Sequence, residues 1–437
     1  MGDLDHTHDA RIQTWVASAT PGCDFPLQNL PLGIFRPAHD ASAPWRVGTA
    51  IGAHVLDLGG CAEDGLLDDA DPAALHALDA DTLNGLMALP GTTVTSLRHA
   101  VHALLRADTG HRRATERRLH AMEAVTLRLP VRIGNYTDFY ASLHHATNTG
   151  RLLRPDSPLM ANYPWLPVAY HGRPSSVVVS GTPVRRPWGQ QRTSSGVPEL
   201  RPSGKLDLEL EVGLFVGAGN PLGEPIPIAE AADHLFGCCL LNDWSARDIQ
   251  AWEYQPLGPF LGKNFATTIS PWVVTRQALL PFRTAPAPRE PGLPAPLPYL
   301  SDVREATTGA FDIHLEWQLR TTRMREGGDA AVTVARTNLG SLLWTPAQLI
   351  AHHTVNGCNL EPGDLLGSGT VSGPDATACG SMLELTKGGR EPWTLPNGET
   401  RGFLEDGDEV VLRGRCSAPG AASIGFGECH GRISPAR

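Results

Sequence analysis

The 437-residue sequence lacks the features that mark membrane proteins and nucleic-acid-binding proteins. None of its apolar runs approaches the ~20 residues that a membrane-spanning helix needs. Basic residues are in the minority, with 36 Lys and Arg against 46 Asp and Glu, and the net charge is -10. A surplus of negative charge disfavours contact with nucleic acid or an anionic membrane. We therefore expect neither a nucleic acid nor a membrane as a partner.

The sequence also has no Cys-x-x-Cys motif, and we expect no secretory signal. The eight cysteines are scattered and form no Cys-x-x-Cys pair, so neither a zinc ribbon nor a redox motif is indicated. The N-terminal segment is acidic and has no apolar core, which argues against a signal peptide. We expect reduced, mostly buried cysteines in a cytoplasmic protein.

Two common enzyme signatures are absent as well. Gly217-Ala-Gly219 and Gly367-Ser-Gly369 have the wrong spacing to a third glycine for a dinucleotide-binding fingerprint. No Gly-x-Ser-x-Gly elbow occurs, which argues against a serine hydrolase of that type. The candidate residues for chemistry therefore lie elsewhere, in stretches rich in carboxylates, imidazoles and phenols.

The pattern of the chain changes near residue 125. Short apolar runs broken by Pro and Gly predict a small β unit at the start, and helical spacing predicts amphipathic helices over 73–88 and around 94–105. Further on, β-branched runs predict mainly strands, and the proline-rich segment 281–298 predicts an ordered surface loop. We predict one domain over residues 1–125, which includes a helical connector, and a second over 126–437.

The stretch 135–150 contains a carboxylate, two phenols and two imidazoles. Thr137 is a candidate N-cap, because Ser, Thr, Asp and Asn accept hydrogen bonds from free amides at helix starts. In a helix that begins there, Asp138 and His145 lie two turns apart on one face. A carboxylate beside an imidazole can supply a metal ligand next to a general base. A polar helix start with a solvated histidine is the alternative.

Residues 205–216 alternate regularly and predict the clearest strand. Its apolar residues would face one way, and Asp207, Glu209 and Glu211 would face the other. Alternate residues lie roughly 7 Å apart, so Glu209 and Glu211 can reach one cation between them. Like charges in a row cost stability unless a positive charge lies nearby. The alternative is a half-exposed strand with a solvated acidic face.

A second strand, predicted over Leu235–Leu241, leads into a polar stretch. Ser245 and Asp248 match a capping box at a helix start, and Asp243 then lies between the strand and the helix, a common place for a ligand. Carboxylate oxygens without any cysteine suit Mg²⁺ or Ca²⁺ rather than Zn²⁺. The four candidate oxygen donors are Asp138, Glu209, Glu211 and Asp243.

Further polar residues follow in the chain. Arg247, Gln250 and Tyr254 would share one helix face, which suits an oxyanion or a carboxylate, although ordinary surface salt bridges are the alternative. Lys263 lies between glycines, where it can approach a ligand closely. Glu384 lies in a predicted strand over 381–385, where it is either the group that orients an imidazole or a plain edge-strand glutamate.

Eight segments of the sequence match a known family in order. They read Tyr-Thr-Asp-Phe-Tyr, His-Ala-Thr-Asn, Tyr-His-Gly-Arg, Asp-Leu-Glu-Leu-Glu, Asn-Asp-Trp-Ser-Ala-Arg-Asp-Ile-Gln, Pro-Leu-Gly-Pro-Phe-Leu-Gly-Lys, Val-Asn-Gly-Cys-Asn-Leu and Gly-Ser-Met-Leu-Glu-Leu. With these segments the chain resembles the fumarylacetoacetate hydrolase family, from about Phe25 to the C-terminus. The resemblance implies a mainly β fold with helices, in which a small SH3-like N-terminal β-barrel domain precedes a C-terminal mixed β-roll hydrolase domain.

The resemblance also implies an activity. It is the metal-dependent hydrolysis of a carbon–carbon bond in 4-fumarylacetoacetate, a small diketo acid, to fumarate and acetoacetate. This reaction ends tyrosine and phenylalanine breakdown. The cofactor would be Mg²⁺ and/or Ca²⁺, and the protein would be a homodimer.

Site residues follow from the same resemblance, position by position. The metal ligands would be Asp138, Glu209, Glu211 and Asp243, with a further cation-linked pair at Lys263 and Thr267. The catalytic residues would be the base His145, its orienting acid Glu384, and the oxyanion donors Arg247, Gln250 and Lys263. The substrate contacts would be Tyr140, Arg154, Tyr170, Gln250, Tyr254 and Thr370.

Two other functions stay open at this point. The first is hydrolysis or decarboxylation of another diketo or 2-keto acid, such as an acylpyruvate, and the likeness of the N-terminal domain argues against it. The second is a non-catalytic protein that binds a metal or a small molecule. The presence of both His145 and Glu384 argues against that function.

Overall fold

The computed structural model describes residues 4–437. The N-terminal strands are β1 (Leu32–Pro37), β2 (Arg46–Ile51), β3 (His54–Asp57), β4 (Leu119–Ala121) and β5 (Val125–Arg128). They form an antiparallel sheet in the order β4-β3-β2-β1-β5. Gly52 closes the tight turn between β2 and β3 with φ at 55°, a conformation that side-chain-bearing residues rarely adopt. Because β5 pairs with β1, this sheet extends past residue 125.

The N-terminal helices are α1 (Leu58–Glu63), α2 (Pro72–Ala77), α3 (Asn84–Met87), α4 (Gly91–Leu105) and α5 (Arg112–Glu116). The helix predicted around 94–105 is confirmed as α4, whose apolar face is buried. The single helix predicted over 73–88 is wrong, because the chain leaves the helical conformation between α2 and α3. Asp79 and Asp81 lie in this break, and aspartate favours turns over helix interiors.

The remaining chain is richer in strands than in helices. Its strands are β6 (Tyr136–Phe139), β7 (Ala169–His171), β8 (Val177–Val179), β9 (Val184–Arg185), β10 (Trp188–Gln191), β11 (Glu199–Pro202), β12 (Leu206–Asp207), β13 (Leu210–Val216), β14 (Leu235–Asp243), β15 (Ser245–Ala246), β16 (Thr267–Ile269), β17 (Val274–Thr275), β18 (Arg283–Thr284), β19 (Ala310–Phe311), β20 (His314–Arg320), β21 (Val332–Asn338), β22 (Leu365–Gly367), β23 (Trp393–Thr394), β24 (Thr400–Arg401), β25 (Glu409–Cys416) and β26 (Ile424–Ser434). Its helices are α6 (Leu143–Leu153), α7 (Ile228–Ala231), α8 (Arg247–Glu253), α9 (Arg276–Leu279), α10 (Val303–Thr308), α11 (Thr322–Gly327), α12 (Pro346–Thr354) and α13 (Met382–Leu385).

Two large sheets organise this part of the chain. One has the order β7-β6-β22-β13-β14-β16-β8, with β17 paired to β14, and the other has the order β21-β20-β25-β26-β9. On β13, Val212 and Leu214 pack into the core that also contains Leu315 of β20, whereas Phe215 packs into the core of the N-terminal helices. The first sheet is therefore covered on both faces, which explains the long apolar runs of β13 and β14. This mixed, strand-rich fold with an N-terminal domain confirms the predicted fold class.

Strand register brings polar residues together at one end of the first sheet. β22 runs parallel to β6 with Gly367 opposite Asp138, and β16 pairs with β14 so that Thr267 lies opposite Asp243. Glu211 lies near the start of β13, which is the strand between β22 and β14. Because neighbouring strands lie about 4.8 Å apart, these side chains can converge on one small volume.

The structure corrects the helix predicted from Thr137. Residues 136–139 form the strand β6, since Tyr, Thr and Phe favour strands and β6 is held between β22 and β7. The helix α6 begins later, and Ser142 is its N-cap, accepting a hydrogen bond from the amide of His145 at 3.2 Å. Asp138 and His145 therefore do not share a helix face, and tertiary folding brings them together instead.

Two further local predictions are wrong. Residues 381–385, predicted as a strand, contain the short helix α13, because Ser381 caps it by accepting from the amide of Glu384. Ser245 does not cap a helix; it lies in β15, and α8 follows Ala246 without a side-chain cap. Asp248 instead accepts from Ser203 Oγ at 2.6 Å.

The predicted acidic strand is interrupted and fully buried. It divides into β12 and β13 on either side of residues 208–209. Asp207, Glu209 and Glu211 are at most 4% exposed, so the alternative of a solvated acidic face is wrong. Buried carboxylates require partners, and those partners define the site described below.

The expectations for the proline-rich segment and for the cysteines agree with the structure. Residues 285–297 of the proline-rich segment form no helix or strand. The cysteines are unpaired, and most of them are buried. Within residues 4–437, none of the helices has the length and apolar character required to cross a bilayer.

Candidate active site

Four carboxylates meet at the polar end of the first sheet. Asp138 comes from β6, and Asp243 from the end of β14. Glu209 is the residue just before β13, and Glu211 is the second residue of that strand. One oxygen from each side chain lies within 4.8 Å of the others, and all four side chains are buried. A buried carboxylate is costly unless positive charge or hydrogen-bond donors surround it.

Two basic side chains neutralise part of this charge. Lys263 Nζ contacts the carboxylates of Glu209 and Asp243, the second at 2.5 Å. Arg247 Nη2 lies 2.8 Å from Glu209 Oε1. Burial favours the neutral form of Glu209, but Lys263, Arg247 and His145 outweigh burial and lower its pKa to about 2. Glu209 is therefore ionised and salt-bridged.

Asp138 and Glu211 have too little positive charge around them. Burial, reinforced by the neighbouring carboxylates, holds the pKa of each side chain well above its usual range. Asp138 Oδ1 and Glu211 Oε1 have no hydrogen-bond partner among residues 4–437. A Cβ at Gly367 would lie 2.6 Å from Asp138 Oδ1 and 3.0 Å from Glu211 Oε2. Buried oxygens without donors, next to a position that lacks a side chain, fit a divalent cation with oxygen ligands.

Two hydroxyl groups hold the carboxylate of Asp243. Tyr170 OH donates to Asp243 Oδ2 at 2.9 Å, and Thr267 Oγ1 donates to Asp243 Oδ1 at 3.3 Å. Hydrogen-bond partners of this kind orient a ligating carboxylate. The sequence predicts Tyr170 as a substrate contact and Thr267 as a cation-linked residue, and the structure brings both to Asp243.

His145 and Glu384 form a buried pair beside the carboxylates. His145 Nδ1 lies 2.7 Å from Glu384 Oε2, and His145 Nε2 lies 3.8 Å from Glu209 Oε1. A proton on Nδ1 satisfies Glu384, which leaves Nε2 able to accept a proton. Burial acts against ionisation of Glu384. The nearby His145 and the hydrogen bonds donated to the Glu384 carboxylate outweigh burial and lower the pKa of Glu384.

Three residues that the sequence analysis missed hold Glu384 in place. Asn148 Nδ2 donates to Oε1 at 3.0 Å, and the hydroxyls of Ser372 and Ser381 each donate to Oε2 at 2.9 Å. Asn148 follows His145 by three residues, so helical spacing alone was a usable signal. Ser381 lies three residues before Glu384, so its Ser-x-x-Glu spacing was a usable signal as well. Ser372 lies far from His145 in the chain, and its role depends on the tertiary fold.

The polar residues that the sequence predicts on one helix face lie together on α8. Arg247 Nη1 donates to Gln250 Oε1 at 3.1 Å, one helical turn away, and Tyr254 follows at the end of the same helix. Because Oε1 of Gln250 is occupied by Arg247, its amide NH₂ is the part that can donate to a ligand.

A cavity of about 370 Å³ connects these groups. Arg154 Nε and Thr370 Oγ1, both in its lining, are buried and have no hydrogen-bond partner within residues 4–437. Tyr140 also lines it, and burial raises the pKa of this phenol to about 12. Unpartnered donors in a cavity of this size suit a small polar ligand. The predicted site residues in the lining are Asp138, Tyr140, His145, Arg154, Tyr170, Glu209, Glu211, Arg247, Gln250, Tyr254, Lys263 and Thr370.

Three predicted site residues lie outside that lining. Glu384 lies behind His145, whereas Asp243 and Thr267 line an adjoining cavity of about 170 Å³. Tyr170 and Lys263 line both cavities and therefore separate them. His144, the neighbour of the predicted base, does not line either one.

Two family models cover nearly the whole chain. The model of the fumarylacetoacetase N-terminal domain matches residues 28–130, and the model of the fumarylacetoacetate hydrolase C-terminal domain matches residues 135–434.

The chain belongs to the fumarylacetoacetase family.

Individual family members match over similar lengths. The fumarylacetoacetase of Rattus norvegicus is 47% identical over 419 residues, which cover 94% of this chain and 97% of the relative. That of Caenorhabditis elegans is 48% identical over 432 residues, covering 96% and 98%. Among solved structures, a fumarylacetoacetate hydrolase from Exiguobacterium antarcticum aligns over 93% of this chain and 100% of that chain, with a TM-score of 0.48 and 15% identity. The likeness to the two full-length relatives places both parts of this chain in the fumarylacetoacetase family.

Proposed function

We propose that the protein hydrolyses 4-fumarylacetoacetate to fumarate and acetoacetate. The observation that carries this proposal is the buried His145–Glu384 pair, whose free Nε2 faces the carboxylate cluster across one cavity. The near-full-length likeness to fumarylacetoacetases supports the same substrate.

His145 starts the reaction as a general base. Its Nε2 takes a proton from water, and the hydroxide that forms adds to the carbonyl carbon next to the fumaryl double bond. Glu384 stabilises the resulting imidazolium through Nδ1 and keeps the ring in place. The tetrahedral intermediate then collapses, and the carbon–carbon bond breaks with its electron pair on the acetoacetate side. The imidazolium of His145 is the acid that returns a proton to this carbon.

Arg247, Gln250 and Lys263 are proposed to stabilise the oxyanion. All three line the cavity with His145, and Arg247 and Lys263 are held in place by the carboxylate of Glu209. Pre-positioned donors cost little reorganisation during the reaction, and loss of one such donor typically costs ~10²–10³ in rate.

The four carboxylates are proposed to hold a divalent cation, Mg²⁺ or Ca²⁺. The ligands would be Asp138, Glu209, Glu211 and Asp243, with Lys263 and Thr267 beside them. When bound, the cation would supply Lewis-acid charge for the 1,3-dicarbonyl part of the substrate and its enolate product. Two of these carboxylates share Lys263, so the protein has already balanced part of their charge.

Substrate orientation is proposed to depend on other residues in the lining of the cavity. The guanidinium of Arg154 suits a terminal carboxylate, because charge-assisted hydrogen bonds from Arg are strong and directional. The hydroxyl groups proposed to assist it are those of Tyr140, Tyr170, Tyr254 and Thr370.

Further parts of the proposal concern the whole protein. We infer two domains, predicted over 1–125 and 126–437, with the strand β5 completing the sheet of the first. The protein is proposed to be a cytoplasmic homodimer that acts at the end of tyrosine and phenylalanine breakdown. Leu257 and Phe260 line or flank the cavities and are 95% and 64% exposed, and large apolar side chains exposed together favour a protein interface. Light scattering of the purified protein would show twice the mass of one chain.

Product analysis tests the proposed activity. Purified protein should consume fumarylacetoacetate, seen as loss of its absorbance, and should release one fumarate and one acetoacetate for each substrate molecule. Release of carbon dioxide, or turnover of an acylpyruvate in preference, would favour the rival reactions. A folded, metal-loaded protein without turnover would favour the non-catalytic alternative.

A further inference from the structure

One buried acid of the acidic strand lies outside the carboxylate cluster. Asp207 is 0% exposed. Unlike Glu209 and Glu211, it is not part of the group of four carboxylates and does not line the cavity. Its carboxylate must therefore be satisfied by other partners.

Those partners come from two elements that carry proposed catalytic groups. Asp207 Oδ2 accepts from Arg247 Nε at 2.9 Å and from the amide of Leu383 at 3.0 Å. Asp207 Oδ1 accepts from the amide of Met382 at 2.8 Å. The amide of Leu208 also donates to Oδ1 at 2.8 Å. One carboxylate thus joins the first residue of α8 to the first two residues of α13.

Both helices, α8 and α13, carry groups of the proposed reaction centre. Arg247 lies 2.8 Å from Glu209 Oε1 and donates to Gln250, so rotation of its guanidinium would disturb both contacts. Glu384 is the next residue of α13 after Leu383, and its carboxylate orients His145. A shift of either element by about 1 Å is enough to cost ~10²-fold in rate in a positioned site.

We propose that Asp207 is a positioning residue of the reaction, which fixes the Arg247 guanidinium and the Glu384 helix relative to each other. This proposal rests on the proposed hydrolase function and extends it. Asp207 would touch neither substrate nor cation, and would act only through Arg247 and α13.

A purely structural role is the competing account, and the chain contains a matched control for it. Asp408 is 1% exposed, accepts from Arg401 Nε at 2.8 Å and Nη2 at 3.0 Å, and accepts from the amide of Glu405 at 2.9 Å. It is the same kind of buried Asp–Arg pair with a backbone donor. It lines neither cavity of the site.

The test compares Asp207→Asn with Asp408→Asn in full-length protein loaded with Mg²⁺. Asparagine keeps the size of the side chain but removes its charge and one acceptor oxygen. Asp207→Asn should lower kcat by about 10²-fold with a smaller change in KM and with Mg²⁺ affinity within about 3-fold. Asp408→Asn should lower the unfolding midpoint comparably and leave kcat unchanged. Equal kcat for the two folded variants would overturn the proposal.

A double-mutant cycle separates action through Arg247 from a general disturbance. If Asp207 acts through Arg247, the rate loss of Asp207→Asn and Arg247→Lys together should be clearly smaller than the product of the single losses. Multiplicative losses would contradict the proposal. If Asp207→Asn does not fold, Asp207→Glu keeps the charge and enters the same cycle. Absence of turnover by the wild type would refute the hydrolase function, whereas wild-type turnover with an unaffected Asp207 variant would refute positioning.

Discussion

At the scale of single residues, two adjacent histidines, His144 and His145, are candidates for the base. His145 lies between Glu384 and Glu209 in the cavity, whereas His144 lines neither cavity. His145→Ala should therefore lower kcat by about 10²–10⁴-fold, the usual contribution of a general base, with metal content retained. His144→Ala should stay close to wild type. Steady-state kinetics of both variants decide this, and the reverse order of effects would remove His145 as the base.

Gly367 gives a second prediction at this scale. The Cβ of Gly367→Ala would enter the space beside Asp138 Oδ1 and Glu211 Oε2. Changes next to metal ligands typically cost 10–100-fold in affinity, so Mg²⁺ affinity should fall by about 10-fold or more in a calorimetric titration. Gly204→Ala is the control, because its Cβ would meet only Asp248 at an ordinary 3.7 Å. Equal affinity of the two variants would show that no cation lies beside Gly367.

Glu384 makes stability depend on pH. His145 and the hydrogen bonds to Glu384 outweigh burial, so its folded-state pKa is lower than the ordinary value. A depressed pKa gives stability that is present above the unfolded value, about 4.3, and is lost as pH falls through the folded value. Below about pH 4.3, the unfolding free energy should therefore fall less steeply in Glu384→Gln than in wild type. Denaturant titrations in chelator measure this, with the exposed Glu224→Gln as control, and parallel curves for wild type and Glu384→Gln would contradict it.

At the scale of elements, the N-cap of the short helix α13 acts on both stability and the position of a proposed catalytic group. Ser381 Oγ accepts from the amide of Glu384 at 3.4 Å and donates to Glu384 Oε2 at 2.9 Å. Ser381→Ala should cost about 1 kcal/mol of stability, as loss of an N-cap does, and should lower kcat several-fold because Glu384 loses a partner.

Thr321 provides the matched control for that cap. It caps α11 by accepting from the amide of Met324 at 3.1 Å, and its hydroxyl donates to Glu399 Oε2 at 2.6 Å. Thr321→Ala should lose similar stability in a denaturant titration without any change in kcat. A similar loss of kcat in both variants would show that Ser381 acts only on stability.

The sequence was informative about elements where pattern and packing agree. Apolar residues at helical spacing were sufficient to predict the helix α4. The alternation of apolar and acidic residues around β13 was sufficient to predict a strand there. It failed at the short segments 136–139 and 381–385. Tyr136–Phe139 pairs with β22 and β7, which are not visible in a short local window. At 381–385 a local signal was present, because Ser381 and Glu384 have the Ser-x-x-Glu spacing of a helix cap, and the strand prediction did not use it.

At the scale of the whole molecule, the site depends on strand pairings between segments that are far apart in the chain. Local sequence patterns do not show these pairings. Asp138 and Glu211 are brought together by β22, which arrives from far along the chain and carries Gly367. His145 and the four carboxylates were candidates from their residue types and positions, the family motifs indicated the same residues, and their roles stay predictions. The reason inferred for His145, a helix face shared with Asp138, was wrong. Asp207 was grouped with Glu209 and Glu211 by alternation, and only the fold shows that it faces Arg247 and α13.

The carboxylate cluster and the His145–Glu384 pair are proposed to form one metal-dependent hydrolase site. The most direct test is to remove cations by dialysis against a chelator and to measure fumarate release while Mg²⁺ or Ca²⁺ is titrated back. We predict no release without cation, a rate that rises in proportion to the occupancy of the carboxylate site, and a higher unfolding midpoint in the loaded protein. Full fumarate release by the metal-free protein would show that the site does not depend on a cation.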